Sequence, residues 1–356
     1  MLRSVGAIIF GLISDRYGRK WPLVAAILMF SVVEMASGFV QTFEQFIAVR
    51  CLFGIFMGGV VGNASTTAME DAPLEARGLL SGLFLSNYAF GYLGATCLNF
   101  AFQNTTYGWR TVFWFTAGPS VLIALFRALL PETDSFLHAQ KLRREEMGTD
   151  SATQAFTKEI KPAFKEYWLL MIYLTVFCSI TNFMSHGSLD LYPTFLGAQL
   201  GFPQIQITRT MVTANIGQIL GSWVVGYLSN IFGRRTTIIF HAFVGGGLIA
   251  PFILVRNSGI MASAFWEFWY HSSPDRGVNS RMVQGIWGVV PIYLMELSPP
   301  HLRVFVLGTT YQLGNLVSSA STTIESKLGE RFPLPPGPTG APRYDYGKVM
   351  GIFQLR

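Results

Sequence analysis

One apolar segment of the chain carries polar and titratable residues at helical spacing. Four of them follow one another at intervals of four residues: Asn182, His186, Asp190 and Thr194. In a helix this spacing places them on one stripe that drifts by about 40° per step. Because a histidine titrates near neutral pH, His186 and Asp190 could exchange protons with each other and with a bound anion. The alternative is a His–Asp pair that only packs helices together.

The composition places this stripe in a membrane rather than in a water-soluble core. Hydrophobic residues make up 51% of the chain and charged residues 13%, whereas a soluble domain carries about 25% charged residues. A charge at the centre of a bilayer costs about 2.5–3.5 kcal/mol on insertion scales. The stripe must therefore face water, a substrate or a partner.

The sequence also excludes several classes of function. The net charge is +6, but the basic residues lie in loops between apolar runs, so nucleic acid is not an expected partner. The three cysteines lie in apolar runs and form no metal or redox motif. We expect no cofactor, no metal and no obligate protein partner. An enzyme is the weakest interpretation, because the chain lacks nucleophile constellations and phosphate-binding loops.

The apolar runs predict an all-α membrane protein, since a spanning helix needs about 20 mostly apolar residues. Full or nearly full spans are predicted at 21–41, 45–67, 78–102, 109–130, 167–196, 206–229, 236–255 and 304–325. Residues 4–14 resemble the tail of another span, and residues 260–269 and 283–297 resemble two pieces of one. The chain is expected to begin within one apolar segment and to end where a last span would start.

A polar linker at 131–166 separates a predicted N-terminal helical half, 1–130, from a C-terminal half, 167–356. If loops alternate sides, thirteen Lys and Arg residues fall on the side of the linker and five on the other. Cytoplasmic loops carry the excess of positive charge. The linker is therefore predicted to be cytoplasmic.

A repeated loop relates the two halves. The pattern G-x-x-S-[DN]-x-x-G-R-[KR] stands at 11–20 and again at 226–235, an offset of 215 residues. Such duplication is typical of transporters built from two related halves. Glycine permits a tight turn, and the charges of such a loop can pair with helix ends in one conformation and release them in another. We interpret both loops as parts of a conformational gate.

A second repeat has a different offset. Glu70 and Arg77 recur as Glu296 and Arg303 at 226 residues, so the second half holds 11 extra residues between the repeats. The polar stretch 270–281 accounts for this surplus, either as an outer loop or re-entrant insert or as a gene-model error, which is the favoured interpretation. The gate predicted from both repeats comprises Asp15, Arg16, Gly18, Arg19, Glu70, Arg77, Gly233, Arg234, Glu296 and Arg303.

The first repeat resembles the signature loop of the major facilitator superfamily, and the resemblance covers essentially the whole chain. It implies a major facilitator fold of two six-helix halves, with about ten of the twelve spans present here. A narrower resemblance lies at 182–194, which is similar to the N-x-x-S-H-x-S-Q-D-x-x-x-T signature of the fungal Jen-type carboxylate permeases. Leu189 stands where that family has glutamine.

The resemblance to these proton symporters for lactate, pyruvate and related acids implies a substrate and proton-coupling site. The motif contributes Asn182, Ser185, His186, Ser188, Asp190 and Thr194. Residues 311–315 are similar to another stretch of the family, which makes Gln312 a candidate for substrate choice. Arg3 is the candidate partner of the substrate carboxylate through two parallel hydrogen bonds. The alternative for Arg3 is a side chain that extends to the lipid headgroups.

The predicted function is symport of a small monocarboxylate with a proton by alternating access. The partners are then the carboxylate, protons and the lipid bilayer, and the expected location is the plasma membrane, as a multi-pass protein. Two alternatives stay open. The substrate could be a dicarboxylate, a sialate-like acid or a sugar, or the chain could be a non-transporting fragment or sensor.

Overall fold

The structure is a computed structural model that describes residues 2–102, 105–147, 152–247, 286–335 and 343–355. The described chain is helical apart from one short strand pair, which confirms the predicted class. The helices up to residue 147 are α1 Arg3–Tyr17, α2 Lys20–Ser37, α3 Phe43–Met69, α4 Leu74–Phe102, α5 Trp109–Leu129 and α6 Asp134–Met147. The later helices are α7 Ala152–Leu189, α8 Tyr192–Thr194, α9 Gln204–Phe232, α10 Arg234–Gly247, α11 Val290–Leu297, α12 Arg303–Ser318, α13 Ser321–Gly329 and α14 Tyr346–Leu355.

Shorter elements join these helices. A π-helical turn, Phe195–Gln199, follows α8, and 3₁₀ turns at Ile286–Gly288 and Pro300–Leu302 precede α11 and α12. The antiparallel strands are β1 Pro333–Leu334 and β2 Arg343–Tyr344.

Several helices have the length and surface of membrane spans. Among the described residues, four segments are long and apolar enough to cross a membrane: Lys20–Ser37, Phe43–Met69, Arg110–Leu129 and Phe164–His186. Large apolar side chains stand exposed on them, such as Phe126 and Leu129 of α5, which are 64% and 84% exposed. An apolar outer surface is what a helix presents to lipid.

Two predicted spans are not continuous helices. The span 167–196 breaks after α7, because Pro193 has no N–H to continue the helix and lies instead in the first turn of α8. The span 304–325 divides at residues 319–320 into α12 and α13, in a serine-rich stretch whose hydroxyls compete for backbone hydrogen bonds. The predicted piece at 260–269, the polar stretch 270–281, the start of the piece 283–297 and the end of the span 236–255 lie outside the described residues.

The described chain forms two compact units. Their segments are Met1–Pro73, Gly94–Ser179 and Ile292–Leu316 in the first unit, and Leu74–Leu93, Ile180–Pro291 and Val317–Arg356 in the second. Each unit combines segments from before and after the predicted linker 131–166, so the unit boundaries differ from those of the halves 1–130 and 167–356. The division into halves stays a prediction about the order of spans along the chain.

Glycines allow close helix packing in the first unit. α1 packs against α3, and α2 packs against α3 and α5. A Cβ atom at Gly58 of α3 would overlap the backbone oxygen of Arg3, so only glycine allows α1 and α3 to approach this closely. A Cβ atom at Gly62 would lie 2.8 Å from the Cα of Gly308, which brings α12 against α3.

An apolar cluster surrounds the break after α7 in the second unit. It comprises Leu191, Tyr192, Phe195, Leu196, Ile207, Met211 and Met350. Apart from Leu191, these side chains come from α8, the π-helical turn, α9 and α14. Leu191 is the first of them in the sequence and directly follows Asp190. The cluster therefore holds in place the chain on which Asp190 lies.

Candidate functional site

The end of α7 carries the predicted titratable pair. Nδ1 of His186 lies 3.1 Å from Oδ2 of Asp190, and the Asp190 N–H donates to the His186 carbonyl at 3.0 Å, so Asp190 extends the last turn of α7. A second donor comes from α13, because the hydroxyl of Thr322 donates to Oδ2 of Asp190 at 3.0 Å. The His186 and Asp190 side chains are 36% and 34% exposed. The pair is thus both hydrogen-bonded and accessible for proton exchange.

The other residues of the predicted substrate motif have different surroundings. Asn182 and Ser185 are buried, and the Ser185 hydroxyl donates to Thr181 O at 3.1 Å and accepts from Nε1 of Trp287 at 2.5 Å. Thr194 is exposed on α8, beyond the break in the helix. The prediction of one continuous stripe of four residues was therefore wrong beyond Asp190, because α7 ends at Leu189. The side chains of Ser188 and Leu189 lie outside the described part of the chain.

In the first unit, the first turn of α1 contacts α12 at Gln312. The hydroxyl of Ser4 donates to the Gln312 carbonyl at 3.1 Å, so the first turn of α1 meets α12 beside Gln312. Gln312 is 2% exposed, and its side-chain Oε1 has no hydrogen-bond partner within the described ranges. The Arg3 side chain is exposed. His186 and Asp190 belong to the second unit, and Arg3 and Gln312 to the first.

Four of the predicted gate residues meet in a buried ionic cluster, here called the Glu70 cluster: Asp15, Arg19, Glu70 and Arg303. Nε of Arg19 lies 2.9 Å from Oε2 of Glu70, with the two side chains 3% and 4% exposed. Nη1 of Arg303 donates to Oε1 of Glu70 at 3.0 Å, and Nη2 of Arg19 lies 3.8 Å from Oδ1 of Asp15. Glu70 therefore joins two guanidinium groups that come from distant parts of the sequence.

Asp15 also caps the start of α12. Its two carboxyl oxygens accept hydrogen bonds from the N–H groups of Val304 at 3.1 Å and Phe305 at 2.8 Å, which are free donors at a helix N-terminus. Burial raises the pKa of Asp15 to about 6, against the opposing effects of Arg19 and these two N–H groups. The ionic cluster and the helix end thus depend on one carboxyl group.

The two copies of the repeated loop share their turn but differ in charge. Gly18 and Gly233 have φ angles of +114° and +83°, which L-residues with side chains adopt rarely, so the repeated glycine has a steric reason in both loops. In the second copy Nη1 of Arg234 donates to Oδ1 of Asn230 at 2.6 Å and to Ser229 Oγ at 2.7 Å. A neutral amide thus occupies the position that Asp15 holds in the first copy.

The remaining gate residues, Arg16, Arg77 and Glu296, lie outside the Glu70 cluster. Arg16 stacks over the ring of Tyr17 at 4.4 Å. Arg77 is half-buried in α4 and belongs to the second unit, and Glu296 is exposed near the end of α11.

Three contacts were not predicted from the sequence. Asp71 accepts hydrogen bonds from the N–H groups of Asp134 and Ser135, each at 2.9 Å, and so caps α6. Burial opposes ionisation of Asp71, but these hydrogen bonds and that of the Ser135 hydroxyl outweigh it and lower the pKa of the carboxyl group. Trp287 and Thr322 contact α7 from 102 and 132 residues away in sequence, where no local pattern could indicate them.

Comparison with known proteins identifies the class. The family model described as "Sugar (and other) transporter" matches residues 2–204 and 167–337. In the solved structures, the proton:xylose symporter XylE from E. coli gives a TM-score of 0.66 at 20% identity, covering 99% of this chain and 83% of that chain. The human organic anion transporter MFSD10 gives a TM-score of 0.71 at 14% identity, covering 99% and 80%. Together with the apolar helices, these matches define an integral, multi-pass membrane protein with the major facilitator fold.

The chain belongs to the sugar (and other) transporter family of the major facilitator superfamily. It is 37% identical over 365 residues to the "carboxylic acid transporter protein homolog" of Saccharomyces cerevisiae. The alignment covers 99% of this chain and 58% of the length of that relative. The chain is also 25% identical to the "cis,cis-muconate transport protein" of Acinetobacter baylyi, covering 88% of this chain and 72% of that relative.

Among the described residues, no group of three or more His, Cys, Asp or Glu side chains is placed to hold a metal ion.

Proposed function

We propose that the chain is a secondary active transporter of the plasma membrane that carries a small monocarboxylate, such as lactate or pyruvate, together with a proton. One observation carries this proposal: the accessible His186–Asp190 pair, 3.1 Å apart, at the end of an apolar helix. The resemblance to the yeast carboxylic acid transporter homolog supports the choice of substrate class.

A proton on this site would solve an electrostatic problem. A carboxylate that crosses the bilayer alone moves one negative charge against the membrane potential and out of water, which is costly. A proton bound at this site, on His186, on Asp190 or on an acid beside them, offsets that charge. The two halves then rock about the loaded site, so that it opens to one side at a time.

Arg3 and Gln312 would bind the substrate itself. The guanidinium of Arg3 can donate two parallel hydrogen bonds to a carboxylate. The unpartnered Oε1 of Gln312 is an acceptor, which suits the hydroxyl group of lactate better than the keto group of pyruvate. This predicts that Gln312→Leu weakens lactate transport more than pyruvate transport.

A second candidate keeps the transport function and changes the substrate. Leu189 provides no amide at a position where the Jen-type permeases have glutamine, and relatives at 25% identity include the muconate transporter and the "sialic acid transporter NanX" of Escherichia coli. A dicarboxylate or sialate-like acid, or a sugar, is therefore the competing proposal. A non-transporting fragment or sensor would bind substrate without coupled flux.

The test uses the full chain in liposomes. Uptake of labelled lactate is measured with the outside acidic, and again without a pH gradient. We expect uptake to rise with the gradient and to fall by about tenfold or more in His186→Ala and Asp190→Asn. His138→Ala, which removes an exposed histidine of α6, is the matched control and should leave uptake unchanged.

Competition decides between the substrates. Excess unlabelled lactate, pyruvate, succinate, sialic acid or glucose is added in turn. Inhibition by lactate and pyruvate alone supports the monocarboxylate proposal. Uptake that is unaffected by both variants at the His186–Asp190 pair contradicts the proposed coupling site.

A further inference from the structure

A charged residue of α13 lies buried next to the pair on α7. Glu325 is 0% exposed, and neither of its carboxyl oxygens has a hydrogen-bond partner in the described part of the chain. An ionised carboxylate buried without a donor is strongly disfavoured, because it loses its hydration without compensation. Glu325 is therefore expected to hold a proton in this conformation.

The geometry places Glu325 on the face of α13 that meets α7. Thr322 and Glu325 are three residues apart and so share one face of the helix, and the Thr322 hydroxyl donates to Asp190. Asp190 therefore lies beside the turn of α13 that carries Glu325. Two carboxyl groups and one imidazole thus occupy the same region, between the end of α7 and the middle of α13.

Other charged groups near α13 are engaged with different partners. Nζ of Lys327 lies 3.3 Å from Oε1 of Glu330, and Lys348 of α14 lies over the ring of Phe332 at 4.4 Å. Asp345 accepts hydrogen bonds from the Gln199 amide and the Lys348 N–H.

Three further titratable groups are described near the end of α13. Arg331 is exposed beyond the end of α13, and the rings of Tyr344 and Tyr346 pack edge to face against each other. Among the described contacts of these residues, none brings a cation to Glu325.

We propose that Glu325 carries the transported proton and shares the site with the Asp190–His186 pair. This inference rests on the proposed function. In the loaded state Glu325 is protonated, while the Asp190 carboxyl group is hydrogen-bonded to Thr322 and His186. The proton moves from external water to the Glu325 carboxyl group, and later from that group to water on the other side. Because the buried anion is disfavoured, release requires a conformation in which water reaches α13, and this couples proton release to opening of the site.

Labelling with a hydrophobic carbodiimide tests this inference without using transport. Dicyclohexylcarbodiimide reacts with protonated carboxyl groups in apolar surroundings, and mass spectrometry of the purified full chain locates the adduct. We expect an adduct on Glu325 at about pH 6.5 that decreases as the pH rises, and none on the exposed Glu330. In Asp190→Asn the loss of the adduct should shift to lower pH, because the opposing negative charge is gone.

The variants separate a proton carrier from a structural residue. In Glu325→Gln, lactate counterflow between equal pH values should persist, whereas uptake driven by the pH gradient should fall by about tenfold or more. Glu325→Asp, which keeps an acid, should retain part of the gradient-driven uptake. An unlabelled Glu325 at low pH, or a labelling profile that Asp190→Asn leaves unchanged, would overturn the inference. If Glu325 labels as expected but the native chain moves no lactate, the proposed function fails and the proton site stands.

Discussion

Replacement of Glu70 by glutamine should release the ionic cluster that joins α1, α3 and α12. Glu70 contacts Arg19 at 2.9 Å and Arg303 at 3.0 Å, and its side chain is 4% exposed. Glutamine has nearly the same shape and keeps one oxygen for hydrogen bonding. The substitution therefore removes the negative charge and leaves two guanidinium groups with like charge beside each other.

The magnitude follows from these distances. At an effective dielectric constant of about 20, two unit charges about 3 Å apart attract each other by about 5 kcal/mol. Desolvation offsets part of this attraction, and loss of one member of a buried ionic contact costs about 3–5 kcal/mol. Since Arg303 is 19% exposed and glutamine still accepts a hydrogen bond, the low end applies. About 3 kcal/mol increases the population of the open gate by about a hundredfold.

The assay reports how often the gate opens. Ser14 is 0% exposed beside Asp15, and its hydroxyl accepts from Nδ2 of Asn63 at 2.7 Å. Ser14→Cys, in a chain whose three native cysteines are replaced by alanine, reacts with a water-soluble maleimide only when this region opens. If opening and closing are fast, the labelling rate tracks the open population. We expect Glu70→Gln to raise that rate by about a hundredfold.

A matched substitution shows whether the effect belongs to the cluster. Glu44→Gln removes an exposed carboxylate from the first turn of the same helix, α3, and should leave the labelling rate of Ser14→Cys unchanged. A rate that rises less than about threefold in Glu70→Gln, or equally in Glu44→Gln, would refute the gate.

Three further predictions concern stability in detergent. Because the pKa of Asp15 is raised to about 6, the folded chain binds this proton more tightly than the unfolded chain does. The protonated Asp15 therefore adds at most about 3 kcal/mol to the free energy of unfolding. This contribution is complete below about pH 4 and is lost as the pH rises through about 6. The Tm of the native chain should therefore rise from pH 7 to 5, and Asp15→Asn should flatten this slope; an unchanged slope contradicts the assignment. Gly314→Ala places a Cβ atom 2.5 Å from that of Cys178 and should lower the Tm by an amount equivalent to about 1–3 kcal/mol. The control Gly118→Ala, with nothing within 4 Å of the new Cβ atom, should leave the Tm unchanged. Equal effects of the two substitutions would show that α12 and α7 are not closely packed. Asp71→Ala removes the cap of α6 and should cost about 1 kcal/mol, seen as faster amide exchange in the first turn of α6; unaltered exchange would exclude the cap.

Local features of the fold could be predicted from the sequence. Span positions follow from runs of apolar residues, because a helix must be apolar for about 20 residues to cross lipid. Gly18 and Gly233 could be assigned to turns, since the repeated pattern is contained within ten residues and both glycines have positive φ. The sequence could also indicate that Glu70, Arg19 and Arg303 belong to one group of charged residues, because all three belong to repeated motifs.

The breaks and long-range contacts could not be predicted. Pro193 is compatible with a bent helix or with a new helix start, and only the packing of Leu191 and Tyr192 in the apolar cluster selects the second. Thr322 has no sequence feature that pairs it with Asp190. Glu325 did leave a signal, because it is the one charged residue of the predicted span 304–325, but the sequence could not say which groups surround it.

Simultaneous measurement of substrate and protons tests the central claim most directly. Liposomes that contain the full chain and an internal pH-sensitive dye, with no initial pH gradient, receive labelled lactate outside, while an ionophore holds the membrane potential at zero. Proton-coupled symport predicts that the interior acidifies as lactate enters, and that both signals disappear in Asp190→Asn. Lactate entry without acidification, or acidification that Asp190→Asn leaves intact, would contradict it.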